Sequence, residues 1–157
     1  MHVKNLVSRL CLTALVLLLT FALMGANIYD DVQPQKTLLR SWLNGGAEVP
    51  GPGDPDGMGQ AQIVLKMENY QVCWKIKVIG ITLPATAAHI HSGDMSVAGP
   101  VVVGLSAPNE MGVSSGCSEV GKDLFMSLQM NPDLYYVNVH NADFPAGAVR
   151  GQLFLAD

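Results

Sequence analysis

The sequence predicts an all-β domain, a Greek-key β-sandwich or barrel with one short helix, preceded by an N-terminal signal helix. Three observations predict this fold class. Short apolar–polar alternations of strand length recur along the chain, Gly- and Pro-rich turns separate them, and only one segment has helical spacing. The chain has 157 residues. Without its first 26 residues it still has the length of one domain with a substantial hydrophobic core.

The N-terminal residues have the layout of a signal peptide. Residues 1–9 carry two basic and no acidic side chains, residues 10–24 are apolar apart from two threonines, and Gly25-Ala26 offers a cleavage point. The apolar run is shorter than the roughly 20 residues of a typical membrane-spanning helix. We therefore expect a signal peptide over residues 1–26 and an exported chain, periplasmic or secreted. A membrane anchor over residues 10–26 is the alternative.

The first part of the mature chain is expected to form a lead-in, a strand, a loop and a hairpin. Residues 27–36 are polar and patternless, which is typical of a flexible lead-in, so the domain is expected to span residues 37–157. A first strand is predicted at about residues 38–43, followed by a surface loop rich in Gly, Pro and Asp. From Gly59, apolar residues alternate with polar ones up to Met67 and again from Val72 to Val78. This pattern predicts an antiparallel hairpin.

The second part of the chain predicts four more strands and the one helix. The strands are expected at residues 86–91, 100–105, 135–140 and 148–155. The helix is expected at residues 120–130, where Leu124, Phe125 and Leu128 make an apolar stripe that ends before Asn131-Pro132.

Charge and cysteine content narrow the classes of partner and compartment. Beyond residue 26 the chain has seven basic and thirteen acidic residues, so its formal charge is −6. We expect no nucleic-acid partner, because backbone phosphates require a basic surface.

Cys11 belongs to the signal, which leaves Cys73 and Cys117 as a pair in a chain bound for an oxidising compartment. This predicts a disulfide. Two free thiols or metal ligands are the alternative.

Three histidines at predicted strand ends are the candidate metal ligands. His89 and His91 are two residues apart on one strand, so their side chains point to the same face, with Cα atoms ~6.5–7 Å apart. His140 ends a later strand and supplies a third imidazole. Three imidazoles suit copper, or zinc less well, with an open position in the coordination shell. The alternative is that the histidines only form hydrogen bonds with loops at the sheet edge.

No pattern in the sequence identifies a catalytic residue. None of the serines lies in the Gly-x-Ser-x-Gly motif that marks many serine hydrolases. The paired carboxylates, such as Asp54 and Asp56, lie in a polar loop where solvation explains them. The sequence therefore favours a binding protein over an enzyme.

Four blocks of sequence resemble the CHRD domain, a module named after chordin and found in many exported proteins. The blocks are LNGGAEVP at 43–50, AHIHSG at 88–93 with GPVVV at 99–103, YYVNVH at 135–140, and FPAGAVRGQL at 144–153. The resemblance covers about residues 43–153. It implies a module for protein–protein contact or a structural role in the cell envelope or extracellular matrix. This is the alternative to metal binding.

A more distant similarity is to the copper half of Cu/Zn superoxide dismutase, itself a Greek-key β-barrel. That similarity implies that His89, His91 and His140 are copper ligands and that Arg150 lies near an anion-accessible open position. No histidine lies between His91 and His140, so the zinc-site ligands of the enzyme have no counterpart. Dismutase-like redox activity is therefore kept only as a lesser alternative.

Two charged residues have two interpretations each. Arg150 is expected to pair with an acid such as Asp143 at the surface, the alternative being the anion-guiding role. Glu48 either forms a hydrogen bond with a histidine ligand, as groups behind metal ligands often do, or satisfies loop amides.

Overall fold

The computed structural model describes residues 36–156, which form nine strands and one α-helix. The predicted signal segment and residues 27–35 of the lead-in lie outside the described residues. The strands are β1 (Lys36–Asn44), β2 (Met58–Lys66), β3 (Gln71–Ile79), β4 (Ala87–Ser92), β5 (Val101–Leu105), β6 (Val113–Glu119), β7 (Tyr135–His140), β8 (Val149–Gln152) and β9 (Phe154–Leu155). The helix is α1 (Lys122–Met130).

All strand pairs are antiparallel, and the sheet is barrel-like and nearly closed. The strand order is β5-β4-β7-β8-β1-β2-β3-β6, with β9 paired to β1. After the β1–β3 meander the chain crosses to the far edge for β4 and β5, returns for β6 beside β3, and crosses again to β7. The predicted all-β barrel class is confirmed.

The predicted alternation and helix are confirmed in the core. Leu39 on β1, Ile63 and Leu65 on β2 and Val72 on β3 are fully buried, and every second residue of these strands faces outward. Helix α1 contributes Phe125 and Leu128 to the same core. No helix among residues 36–156 has the length and hydrophobicity needed to span a membrane.

Strand β6 was not predicted, and it carries the second cysteine. Its sequence, VSSGCSE, lacks apolar alternation, so it depends on pairing with β3 rather than on a buried stripe of its own. Cys117 lies directly opposite Cys73 in this pair, and the two form a disulfide. The pairing is as predicted, and it joins two neighbouring strands. Gly116 is needed beside it, because a Cβ there would lie 2.5 Å from the Trp74 ring.

The predicted last strand is divided into two. Leu153 leaves the sheet ladder, and its amide donates to the carbonyl of Tyr135 at 2.9 Å. Beyond it, Phe154 pairs with Arg40 of β1 instead of continuing along β7. Leu153 is 1% exposed but Leu155 is 58% exposed, because this change of partner ends the alternation.

The loop between β1 and β2 is more buried than predicted. A surface loop was expected there, but the side chains of Glu48 and Asp54 are only 6% and 8% exposed. The loop is held by backbone hydrogen bonds, including one of 2.8 Å from the Asp54 amide to the Ala148 carbonyl. It therefore covers the sheet near the start of β8.

Candidate metal centre

Two neighbouring strands bring the three histidines together. Strands β4 and β7 are paired antiparallel, with Ala87 opposite His140 and His89 opposite Asn138. His89 and His91 point to the same face, while Ile90 between them is fully buried in the core. Because side chains alternate along β4, the imidazoles of His89 and His91 both lie on the face of the sheet that carries His140 at the end of β7.

Hydrogen bonds to backbone carbonyls occupy one ring nitrogen of His91 and one of His140, and so determine which ring nitrogen can bind an ion. The Nδ1–H of His91 donates to the Gly99 carbonyl at 2.9 Å, and the Nδ1–H of His140 donates to the Pro145 carbonyl at 3.1 Å. Each of these two rings is left with an unprotonated Nε2, the form that binds a metal. His89 faces the cluster with Nδ1, which lies 3.3 Å from the Nε2 of His140.

The spacing of these atoms suits a single ion. One ligand nitrogen from each histidine lies within 4.8 Å of the other two. Two nitrogens that bind one ion at ~2.0–2.1 Å lie at most ~4.1 Å apart. The 3.3 Å pair already meets this limit, so small ring movements complete the set. The arrangement can hold a metal ion.

An unsatisfied nitrogen supports the same interpretation. The Nε2 of His91 is buried and has no hydrogen-bond partner. Leaving a buried polar atom without a partner costs free energy, and a bound ion would remove that cost by accepting the nitrogen lone pair.

Burial and mutual repulsion keep two of the imidazoles neutral. Desolvation lowers the pKa of His89, and the nearby rings of His140 and His91 lower it further. Desolvation and His91 also lower the pKa of His140, opposed by its bond to the Pro145 carbonyl. Neutral imidazole is the form that coordinates a metal, so the lowered pKa values of His89 and His140 favour metal binding.

A stack of three side chains supports the buried histidine. The ring of Tyr136 lies parallel to that of His91, with centroids 4.8 Å apart and an interplanar angle of 10°. The guanidinium of Arg150 also lies over the Tyr136 ring, with its central carbon 3.4 Å from the ring centroid. The Tyr136 hydroxyl accepts a bond from the Gly99 amide at 3.1 Å, so the residue that anchors His91 also anchors the tyrosine.

The predicted surface ion pair of Arg150 is wrong. Arg150 is 1% exposed, and its Nη2 donates to the backbone carbonyl of Asp94 at 2.6 Å. Asp143 instead accepts a hydrogen bond from the Thr82 hydroxyl. Because β8 pairs with β7 and β1, Arg150 lies inside the polar face of the sheet instead of at its rim.

The hydrogen bond of the Glu48 side chain is with Asn138, and not with a histidine or with loop amides as the two interpretations of the sequence expected. Its Oε2 accepts a hydrogen bond from the Asn138 side chain at 3.0 Å. Burial raises the pKa of Glu48 to about 7, opposed by that bond and by the charge of Arg150. Gly147 has a φ of +152°, and a Cβ there would lie 2.3 Å from the Glu48 carboxylate. The glycine thus gives the carboxylate the space it occupies.

Sequence reasoning missed two residues of this site, Tyr136 and Asn138. Both lie on the face of β7 that carries His140, and Asn138 is flanked by His89 and Arg150 across the sheet. The alternation of β7 placed them on that face, but nothing in the sequence marked them as supports for the histidines.

One comparison with known proteins bears on this site. The family model of the CHRD domain matches residues 39–153, which is most of the chain and includes all three histidines. No curated protein matches the chain.

Proposed function

The chain belongs to the CHRD domain family, and from this premise we propose that it is an exported protein that binds one transition-metal ion through His89, His91 and His140. Copper is the proposed ion, and zinc is second. The observation that carries the proposal is the convergence of three ligand nitrogens within 4.8 Å of one another, one of them buried without a partner.

The donor set favours copper over zinc. All three donors are imidazoles, with no thiolate or carboxylate in the cluster. Imidazole suits both ions, but a given nitrogen site generally binds Cu²⁺ more tightly than Zn²⁺. Three protein ligands leave a coordination position open. Such a site fits storage, delivery or sensing of the ion, and weak redox activity is a lesser alternative.

Export is supported by two features of the chain. The N-terminal sequence has a signal-peptide layout, and the Cys73–Cys117 disulfide fits an oxidising compartment. The choice between periplasm and secretion stays open in the proposal, and so does anchoring through residues 10–26.

A second candidate function comes from the family itself. A CHRD domain fits an extracellular module that contacts proteins or has a structural role without a metal. In that case the three histidines serve only the local hydrogen bonds described above.

Metal analysis with matched histidine variants decides between these functions. The full-length chain without a histidine tag is dialysed against Cu²⁺ or Zn²⁺ and compared with the double variant H89A/H91A. The variant E68Q is the control, because Glu68 is an exposed carboxylate outside the cluster. We expect about one ion per chain in the unmodified protein and in E68Q, and a small fraction of this in the double variant.

Two results would contradict the proposal. Equal copper in the double variant and the unmodified chain would place any bound ion elsewhere. Negligible copper in all three proteins would leave the module without a metal. Far-UV circular dichroism of each variant checks that the fold is retained.

A further inference from the structure

The outward face of strands β1–β3 is strongly basic in a chain that is acidic as a whole. Residues 36–156 contain seven Lys and Arg residues, and five of them have outward-facing positions on these three strands. None of the three strands contains Asp or Glu. We call this surface the cationic face. Its basic residues are Lys36, Arg40, Lys66, Lys75 and Lys77.

The strand register aligns the central residues of this face in two rows. In one row Arg40 lies opposite Gln62, which lies opposite Lys75. In the next row Trp42 and Gln60 are opposite each other in the same way, with Lys77 beyond. Neighbouring strands lie ~4.8 Å apart, so cations on β1 and β3 are within about 10 Å of each other.

An open groove runs along these rows. A cavity of about 630 Å³ is lined mostly by residues with amide, hydroxyl or ammonium groups, including Gln60, Gln62, Lys75, Lys77 and Asn109, together with Ile76, Ala107 and Val113. Two further cavities, of about 440 and 260 Å³, share Gln60 with it and are both lined by Trp42. The Trp42 ring is 61% exposed and forms an apolar platform beside the amides.

We propose that the cationic face binds a linear acidic polysaccharide, one that carries carboxylate or sulfate groups. Lys75, Lys77 and Arg40 offer ammonium and guanidinium groups to the acidic substituents. The glutamines between them donate to and accept from sugar hydroxyls. The exposed Trp42 ring gives an apolar surface on which the C–H face of a sugar ring packs. An extended, flat, partly apolar polyol with negative charges meets all three requirements at once.

The composition of the groove favours a polysaccharide over other polyanions. A lipid surface is matched by a basic rim around protruding apolar residues, but the exposed apolar side chains of this face, Trp42, Met58 and Ile79, lie together at one end of it instead of at its centre. A single-stranded polynucleotide needs several exposed aromatic rings on which successive bases stack, and strands β1–β3 expose one such ring, that of Trp42. This site is separate from the histidine cluster on β4 and β7 and does not depend on metal binding.

Affinity measurements with charge variants test the proposal. The full-length chain is titrated at low salt with heparin, with alginate and with neutral dextran as the uncharged control. The test variant is K75Q/K77Q, and K122Q is the matched control because Lys122 is an exposed lysine on helix α1. We expect heparin or alginate to bind and dextran not to bind. The double variant should bind about tenfold more weakly, since each exposed ion pair contributes modestly, and K122Q should bind as the unmodified chain does.

A second variant examines the aromatic platform. W42A removes the exposed ring without changing charge, and we expect a several-fold loss of affinity that persists at higher salt, where the lysine contribution is screened. The same proteins are mixed with single-stranded DNA and with anionic phosphatidylglycerol vesicles.

Three results would overturn the proposal. The first is that neither acidic polysaccharide binds at low salt, and the second is that K75Q/K77Q binds them as strongly as the unmodified chain. The third is binding of DNA or the vesicles that depends on Lys75 and Lys77 and is stronger than the binding of either polysaccharide. Loss of metal binding in the histidine variants leaves all of these results unchanged, so this proposal and the metal proposal can fail separately.

Discussion

Replacing Glu48 with glutamine is expected to change how folding stability depends on pH. Burial raises the pKa of Glu48 from 4.5 to about 7, so between these values the folded chain holds a proton that the unfolded chain has released. The native state then binds more protons than the unfolded state. The free energy of unfolding therefore falls as pH rises. This stabilisation is fully present below pH 4.5 and is lost as pH rises through 7.

The size of the effect follows from the same two pKa values. A rise from 4.5 to about 7 corresponds to an upper limit of ~3.4 kcal/mol in the free energy of unfolding. The carboxylate lies in a loop at the edge of the sheet, and partial screening by solvent reduces this to roughly 1–2 kcal/mol. Glutamine has the same shape and keeps an oxygen that accepts the bond from Asn138.

Urea unfolding at pH 5 and pH 7.5 measures the effect in the unmodified chain, in E48Q and in the control E68Q. Glu68 is an exposed glutamate in a turn. Between the two pH values the unmodified chain should lose roughly 1–2 kcal/mol relative to E48Q, whereas E68Q should follow the unmodified chain. His89 and His140, whose pKa values are lowered, contribute with the opposite sign, and their contribution is the same in all three proteins and cancels in the comparison. Parallel pH profiles for the unmodified chain and E48Q would refute the reasoning.

Three further perturbations concern the site and the disulfide. Y136L removes the ring stacked on the buried imidazole and should weaken metal binding ~10-fold or more, while Y136F should retain it; metal titration by calorimetry measures both. Because burial lowers the pKa values of His89 and His140 below 6.5, metal affinity should be flat above pH 6.5 and fall below it. A steep loss that begins well above pH 6.5 would contradict this. Replacing Cys73 and Cys117 with alanine should lower stability by about 4 kcal/mol, since the bond closes a loop with a sequence separation of 44; an unchanged urea midpoint would argue against it.

Where strand pattern and turn chemistry act locally, the sequence predicted the fold well. The β2–β3 hairpin follows directly from alternation on both sides of a short turn, and helix α1 follows from an apolar stripe that ends at Asn131-Pro132. Strand β6 could not be predicted because its residues bury little. It forms because the backbone of β3 has an edge with which it can pair, and because Gly116 has no side chain that would collide with the Trp74 ring.

For the site, the sequence could supply the ligands but not their supports. His-x-His on one strand and a third histidine at a strand end are visible in the spacing alone. The burial of Arg150 depends on β8 lying between β7 and β1, which is a property of the topology. The bond from Asn138 to Glu48 joins residues 90 positions apart, and only the folded loop brings them together. Apolar–polar alternation assigns each side chain to a face of the sheet, but it does not predict which loops and side chains pack on that face.

Nitrogen NMR of the imidazole rings during zinc titration tests the central claim most directly. Zinc is diamagnetic, so each ring nitrogen can be observed, and the rings are assigned with single histidine variants. At one equivalent of Zn²⁺ we predict that the metal-bound signals are the Nδ1 of His89 and the Nε2 atoms of His91 and His140, with no further change as more zinc is added. If one equivalent leaves the three rings unchanged, or shifts only one of them, the three-histidine metal centre is contradicted.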